Sequence, residues 1–124
     1  MSDKIKVYQK PTCTKCRQTI GILRDRGADF ETINYYEQPL TVDELRGLIE
    51  RLGIAPQDLL RKGEQVYRDL KIAQRDLTDD ELIELMVENP DLMQRPIVVR
   101  GKKAVLGRPP ESVEDLLGGE DEGR

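Results

Sequence analysis

Both cysteines of the chain fall within one short stretch, Pro11-Thr12-Cys13-Thr14-Lys15-Cys16-Arg17, and nothing else in the sequence leaves so few options. Ahead of it, Ile5-Lys6-Val7-Tyr8 alternates with the two-residue period of a strand. Behind it, Cys16, Ile20 and Leu23 recur at helical spacing, and Gly27 is placed to close that helix. Cys13 is therefore predicted where a strand gives way to a helix. Unpaired N–H groups and the helix macrodipole favour an anion there, a thiolate included. A C-x-x-C in a strand–helix unit reads as a redox motif with Cys13 as the working residue. Cys16, on the apolar stripe, also fits a plain buried thiol. For Cys13 that reading is poor, because Pro11 and Thr12 put it in a turn. Two thiolates in a chain without histidine supply only half of a tetrahedral zinc shell, so no metal is expected.

The remaining elements follow in order. Phe30-Glu31-Thr32-Ile33-Asn34-Tyr35-Tyr36 is β-branched and aromatic and predicts a second strand, parallel to the first by the handedness of crossovers. Thr41-Val42-Asp43-Glu44 is a capping box, followed by Leu45, Leu48, Ile49 and Leu52 on one helical face, with Gly53 as the stop. Pro56 opens a short helical segment through Leu59 and Leu60, and Val66, Leu70 and Ala73 suggest another. Thr78-Asp79-Asp80-Glu81 caps a strong helix that ends at Asn89-Pro90. Pro96-Ile97-Val98-Val99 and Lys103-Ala104-Val105-Leu106 read as a hairpin around Gly101-Lys102. A last helix carries Val113, Leu116 and Leu117. The order βαβ, helices, ββα is a thioredoxin/glutaredoxin-like α/β plan: a mixed four-stranded sheet with an all-helical insertion over about 41–89. One domain is expected over 1–117, and 118–124 reads as a solvated acidic tail.

Composition narrows the function classes. The 124 residues suit one domain, with 37% hydrophobic and 35% charged residues. A net charge of -4 argues against direct nucleic-acid binding, which wants a basic surface, yet permits a local cationic pocket. No apolar run approaches a membrane span and no charged-then-apolar leader opens the chain, so a cytoplasmic protein is expected. In that compartment two cysteines suggest catalysis or redox sensing before a structural staple.

Pro11-Thr12-Cys13, Leu59-Leu60-Arg61-Lys62, Arg95-Pro96-Ile97-Val98-Val99 and Gly107-Arg108-Pro109 together resemble the arsenate reductase ArsC family, over roughly residues 4–117. The resemblance implies that Cys13 is the nucleophile that attacks arsenate. It implies that Arg61, Arg95 and Arg108 bind the oxyanion and stabilise its thiol adduct, and that Pro96 is a cis-proline beside the active cysteine. Arg17 matches the arginine in the first turn of the nucleophile's helix. The reductant would be glutathione or a protein thiol, glutaredoxin or thioredoxin, with no bound cofactor. The chain departs from the pattern twice. Gln9 or Lys10 occupies the region where arsenate-active members often carry histidine, and a cysteine, Cys16, stands where they commonly have none.

The chemistry is consistent with these roles. Arsenate near neutral pH is a tetrahedral dianion, and desolvating it takes fixed positive charge and several donors. Arginine offers a planar fork that stays charged and can bind two oxygens at once. All three arginines fall at junctions between predicted elements, where a rigid scaffold presents binding groups. Lys15 and Lys62 read as rim charges. In the expected reaction the Cys13 thiolate attacks arsenate, water leaves, and a second thiol releases arsenite. Cys16, one helical turn away, can alternatively form a disulfide with Cys13. Two other readings remain open. One is a redox-sensing regulator of the Spx type that binds RNA polymerase through a Cys13–Cys16 switch, and the other is a general thiol-disulfide oxidoreductase.

Overall fold

Ile5 and Val7 point inward while Lys4 and Lys6 face solvent, the two-residue alternation of a strand, here β1 (Ile5–Gln9), which is one of the two interior strands of the sheet. The structure, a computed structural model, describes residues 4–10 and 12–117. The expectation for the tail at 118–124 lies outside the described residues. Helix α1 (Thr14–Asp25) returns the chain to β2 (Phe30–Asn34), which pairs with β1 in parallel. The hairpin β3 (Ile97–Arg100) and β4 (Lys103–Leu106) adds antiparallel to the other side of β1, giving the order β2-β1-β3-β4. Both strands of the hairpin fall where their sequence signals are, β3 one residue late because Pro96 lacks a ladder N–H.

The chain folds as two compact units, Pro39–Gln94 and the residues on either side of it. In the sheet-bearing unit the core gathers Ile5, Val7, Leu23, Val98, Val113, Leu116 and Leu117, with Ile20, Phe30 and Val105 packed against it. Leu23 is wholly buried, and truncating such a side chain to alanine costs about 2–5 kcal/mol. Gly27 (φ +67°) stops α1 in the left-handed conformation that glycine tolerates. The final helical segment begins as a 3-10 turn (Pro110–Val113), because two prolines open it, and continues helically over 114–117.

The Pro39–Gln94 unit contains α2 (Val42–Leu52), α3 (Gln65–Asp69) and α4 (Asp79–Glu88). Both predicted capping boxes are complete: Thr41 and Glu44, then Thr78 and Glu81, each exchange hydrogen bonds between side chain and backbone. Gly53 (φ +70°) closes α2. Leu45, Leu48 and Ile49 on α2 are buried, as their spacing predicts, and on α4 Leu82, Ile83 and Met86 are buried while Leu85 is only half-buried. The segment opened by Pro56 is a 3-10 helix (Pro56–Leu59), and α3 buries no residue, so the weak apolar pattern there supports only short turns. One pairing has no local sequence signal. Leu60 and Met93 form an antiparallel bridge, flanked by Arg61 N–H to the Leu92 carbonyl at 2.7 Å and Gln94 N–H to the Leu59 carbonyl at 2.9 Å.

Candidate active site

The strand directions bring several chain crossings to one end of the sheet. Because β1 and β2 are parallel with Gln9 opposite Asn34, Lys10 and Tyr35 leave the sheet on the same side. Because β3 runs antiparallel to β1 with Tyr8 opposite Ile97, Arg95 and Pro96 enter there too. Leu106 pairs with Ile97, so Gly107 and Arg108 exit at that end as well. The Cys13 turn, the two tyrosines, Arg95 and Arg108 thus share one rim of the sheet-bearing unit.

Cys13 is the N-cap of α1, with extended backbone (φ -82°, ψ 124°). Its amide donates to the Lys10 carbonyl at 2.9 Å, closing the turn, and its Sγ accepts the Cys16 N–H at 3.3 Å. A cap of this kind is usually a hydroxyl or carboxylate; here a sulfur takes the place of that oxygen. Both cysteines are free thiols, Cys13 partly exposed and Cys16 wholly buried. Partial burial opposes ionisation of Cys13. It is outweighed by hydrogen bonds from the Cys16 side chain and amide and by the charge and donors of Arg95, so the thiol titrates below its ordinary value of 9.0. Cys16 behaves oppositely. Burial, the hydrogen bond it gives Cys13 and the neighbouring thiolate push it up to about 12.

Arg95 is the buried cation of the rim, 7% exposed. Desolvation works against its charge, but Tyr36, Tyr35 and Cys13 facing the guanidinium more than offset this, and it stays protonated. The Arg95–Pro96 peptide is cis, in keeping with the resemblance, and so is Arg108–Pro109, which no sequence signal announced. Gly107 donates its amide to the Pro96 carbonyl at 2.9 Å, which ties the approach to Arg108 directly to Arg95-Pro96. Arg108 and Arg17 are exposed. Lys10 lies over the Tyr36 ring, 5.0 Å from its centroid, and Tyr36 stacks on Tyr35 at 5.1 Å. Arg61 belongs to the Pro39–Gln94 unit, where it pairs with Glu64 at 3.1 Å. Among the described residues no group of three or more His, Cys, Asp or Glu could hold a metal ion, and no helix is long and apolar enough to cross a membrane.

Of the predicted site residues, Cys13 interacts with both Cys16 and Arg95, and Pro96 follows Arg95 directly. Sequence reasoning missed the tyrosines, which it assigned to β2. That strand stops at Asn34, whose side chain accepts the Tyr36 N–H at 3.0 Å and whose carbonyl accepts from Glu37 and Gln38. Asparagine's preference for such turns was the available signal.

A redox-type cysteine capping the first helix of a βαβ…ββ sheet, with a cis-proline opening the strand beside it, defines a thioredoxin-like fold. The ArsC family model matches residues 8–116, and the chain belongs to the ArsC family. It is similar to an arsenate reductase of Escherichia coli K12, 41% identical over 91% of this chain and 80% of that one. It is 40% identical to the E. coli protein YfgD, described as uncharacterized, over 95% of this chain and all of that one. Among solved structures, an arsenate reductase from Vibrio cholerae superposes with a TM-score of 0.88 at 35% identity, covering 93% of this chain and 98% of the other.

Proposed function

We propose that this protein reduces arsenate to arsenite in the cytoplasm, with Cys13 as nucleophile. The observation that carries the reading is Cys13 Sγ held at a helix N-terminus by the Cys16 amide, with the buried Arg95 guanidinium within its hydrogen-bonding reach. A thiolate favoured by these groups attacks arsenic, an oxygen leaves as water, and an arseno-cysteine forms. A second thiol then attacks. Two electrons pass from the two sulfurs to arsenic, arsenic(V) becomes arsenic(III), arsenite departs, and a disulfide remains for the reductant to cleave. Arg95 and Arg108 hold the oxyanion and the negative charge that builds on it, and Arg61 is given an anion-binding role only by the family resemblance. Arg17 adds charge at the first turn of α1, and Pro96 lines the site beside Cys13.

Burial of Cys16 and its strongly raised pKa support an external resolving thiol, glutathione coupled to glutaredoxin, over direct attack by Cys16. The Cys16/thioredoxin route is the second reading, favoured by the proximity of the two sulfurs. Arsenate-dependent NADPH oxidation, run with glutathione plus glutaredoxin and separately with thioredoxin, tests both. Cys13→Ser abolishes turnover, and Cys16→Ser retains it in the glutathione system. Full turnover by Cys13→Ser overturns the scheme. Silence of the wild-type protein in both systems turns attention to RNA polymerase binding governed by the Cys13–Cys16 redox state.

A further inference from the structure

Tyr35 is the largest wholly buried side chain of the described residues, 1% exposed. A buried phenol carries one donor and one acceptor and ordinarily finds a partner for its oxygen. The Tyr35 hydroxyl makes no hydrogen bond. A phenylalanine would fill the same volume without stranding a polar atom, so packing alone does not account for the oxygen.

What surrounds the hydroxyl suggests its use. Apart from its own burial, the groups acting on it are Arg95 first, then Cys16 and Cys13, and Arg95 in turn faces Tyr36, Tyr35 and Cys13. The guanidinium therefore acts on both a phenol and a thiol. Arginine has donors only, so against Arg95 the phenol oxygen can act solely as acceptor. The guanidinium acts on the phenol by charge and by a weak hydrogen-bonding influence that falls short of a formed hydrogen bond. Burial holds the phenol protonated far above neutral pH, so it brings no competing negative charge. The backbone beneath it is fixed by the Asn34 turn, and its ring by Tyr36, which is itself capped by Lys10.

We propose that Tyr35 is a positioning residue of the anion site: its hydroxyl accepts from the Arg95 guanidinium as that fork turns onto a bound tetrahedral oxyanion. The inference rests on reading the Cys13–Arg95 rim as an oxyanion-binding thiol site, and it does not require arsenate to be the physiological anion. A hydrogen bond that tightens only in the anion complex adds to anion affinity.

The test is Tyr35→Phe, read in three ways. Inorganic phosphate and, separately, arsenate are titrated as protectants of Cys13 against iodoacetamide, arsenate turnover is followed, and the unfolding midpoint is recorded. The expected result is protection weakened about fivefold or more and a similar rise in the arsenate KM with kcat nearly unchanged, while the midpoint holds or rises. A merely structural tyrosine shifts only the midpoint. Unchanged protection in a folded Tyr35→Phe overturns the proposal. If wild type turns over no arsenate but phosphate protects Cys13 through Tyr35, the positioning role stands and the arsenate reading falls. Failure of both anions to protect the wild-type thiol overturns the proposal together with the anion site it serves.

Discussion

The Cys16 amide donates to Cys13 Sγ across 3.3 Å while the Cys16 thiol itself lies wholly buried beneath it. Two sulfurs one helical turn apart therefore differ in kind: one is stabilised as an anion at the surface, the other is kept protonated inside. The thiolate is the reactive form, so a lowered pKa moves the rising limb of reactivity to lower pH. Alkylation of the native protein should show one reactive thiol whose midpoint falls below 9.0, with the second silent until the pH nears 12. Mass spectrometry of iodoacetamide-treated protein across the pH range checks this. Equal labelling of both sites near pH 8 would contradict the arrangement.

Arg95 lowers the Cys13 pKa both by charge and by hydrogen bonding. Removing the charge in Arg95→Gln should shift the alkylation midpoint of Cys13 upward. Loss of a charge-assisted bond to the anion should also reduce arsenate kcat/KM by about tenfold or more. Arg95→Lys keeps the charge without the planar fork, so the midpoint should recover more than turnover does. Parallel recovery of both would argue against a two-point grip on the anion.

Gly107 has no room for a side chain. A Cβ there would lie 2.5 Å from Thr19 Oγ1 and 2.7 Å from Pro96 Cγ. Gly107→Ala should destabilise the protein by about 1–3 kcal/mol, the usual cost of overpacking a filled site. Thr19→Ala added to it should restore only part of the loss, because the proline ring cannot yield as a threonine rotamer can. Urea unfolding of the three variants measures the coupling.

The capping boxes give a separate stability test. Thr41→Ala and Thr78→Ala each strand an N–H that the threonine oxygen now accepts, and each should cost about 1 kcal/mol. Breaking the exposed Arg46–Asp80 contact of 3.0 Å should cost far less, within a few tenths of a kcal/mol, since both groups are solvated. Thermal or urea denaturation ranks the three changes.

What the sequence disclosed and what it hid divide along physical lines. The caps at Thr41 and Thr78, the glycine stops at Gly27 and Gly53 and the strand at Ile5–Gln9 are local, each written in a few adjacent residues. Cys13 as a helix cap was legible for the same reason. Tyr35 was visible only as a β-former, because its burial beside Arg95 arises from bringing β2 and β3 to the same end of the sheet. The tight fit of Gly107 against Thr19 and the Leu60–Met93 bridge are tertiary in the same sense: no periodicity records them. Arg61, Arg95 and Arg108 stood out through family spacing, and of these the contact of Arg95 with Cys13 is the one that burial makes distinctive.

The Leu60–Met93 bridge also bears on how the chain assembles. Pairing β1 with β3 joins Lys6 to Val99 and Tyr8 to Ile97, and before anything else has folded this means closing a loop that contains most of the protein. Loop-closure entropy opposes such a step. Once α2 and α4 have formed from their own caps and Leu60 has met Met93, most of that intervening chain has ceased to be free. The tether left to close is correspondingly shorter. Kinetics should therefore show α2 and α4 structured in the folding transition state while β3 is still loose, with the sheet completed last around a helical excursion already in place.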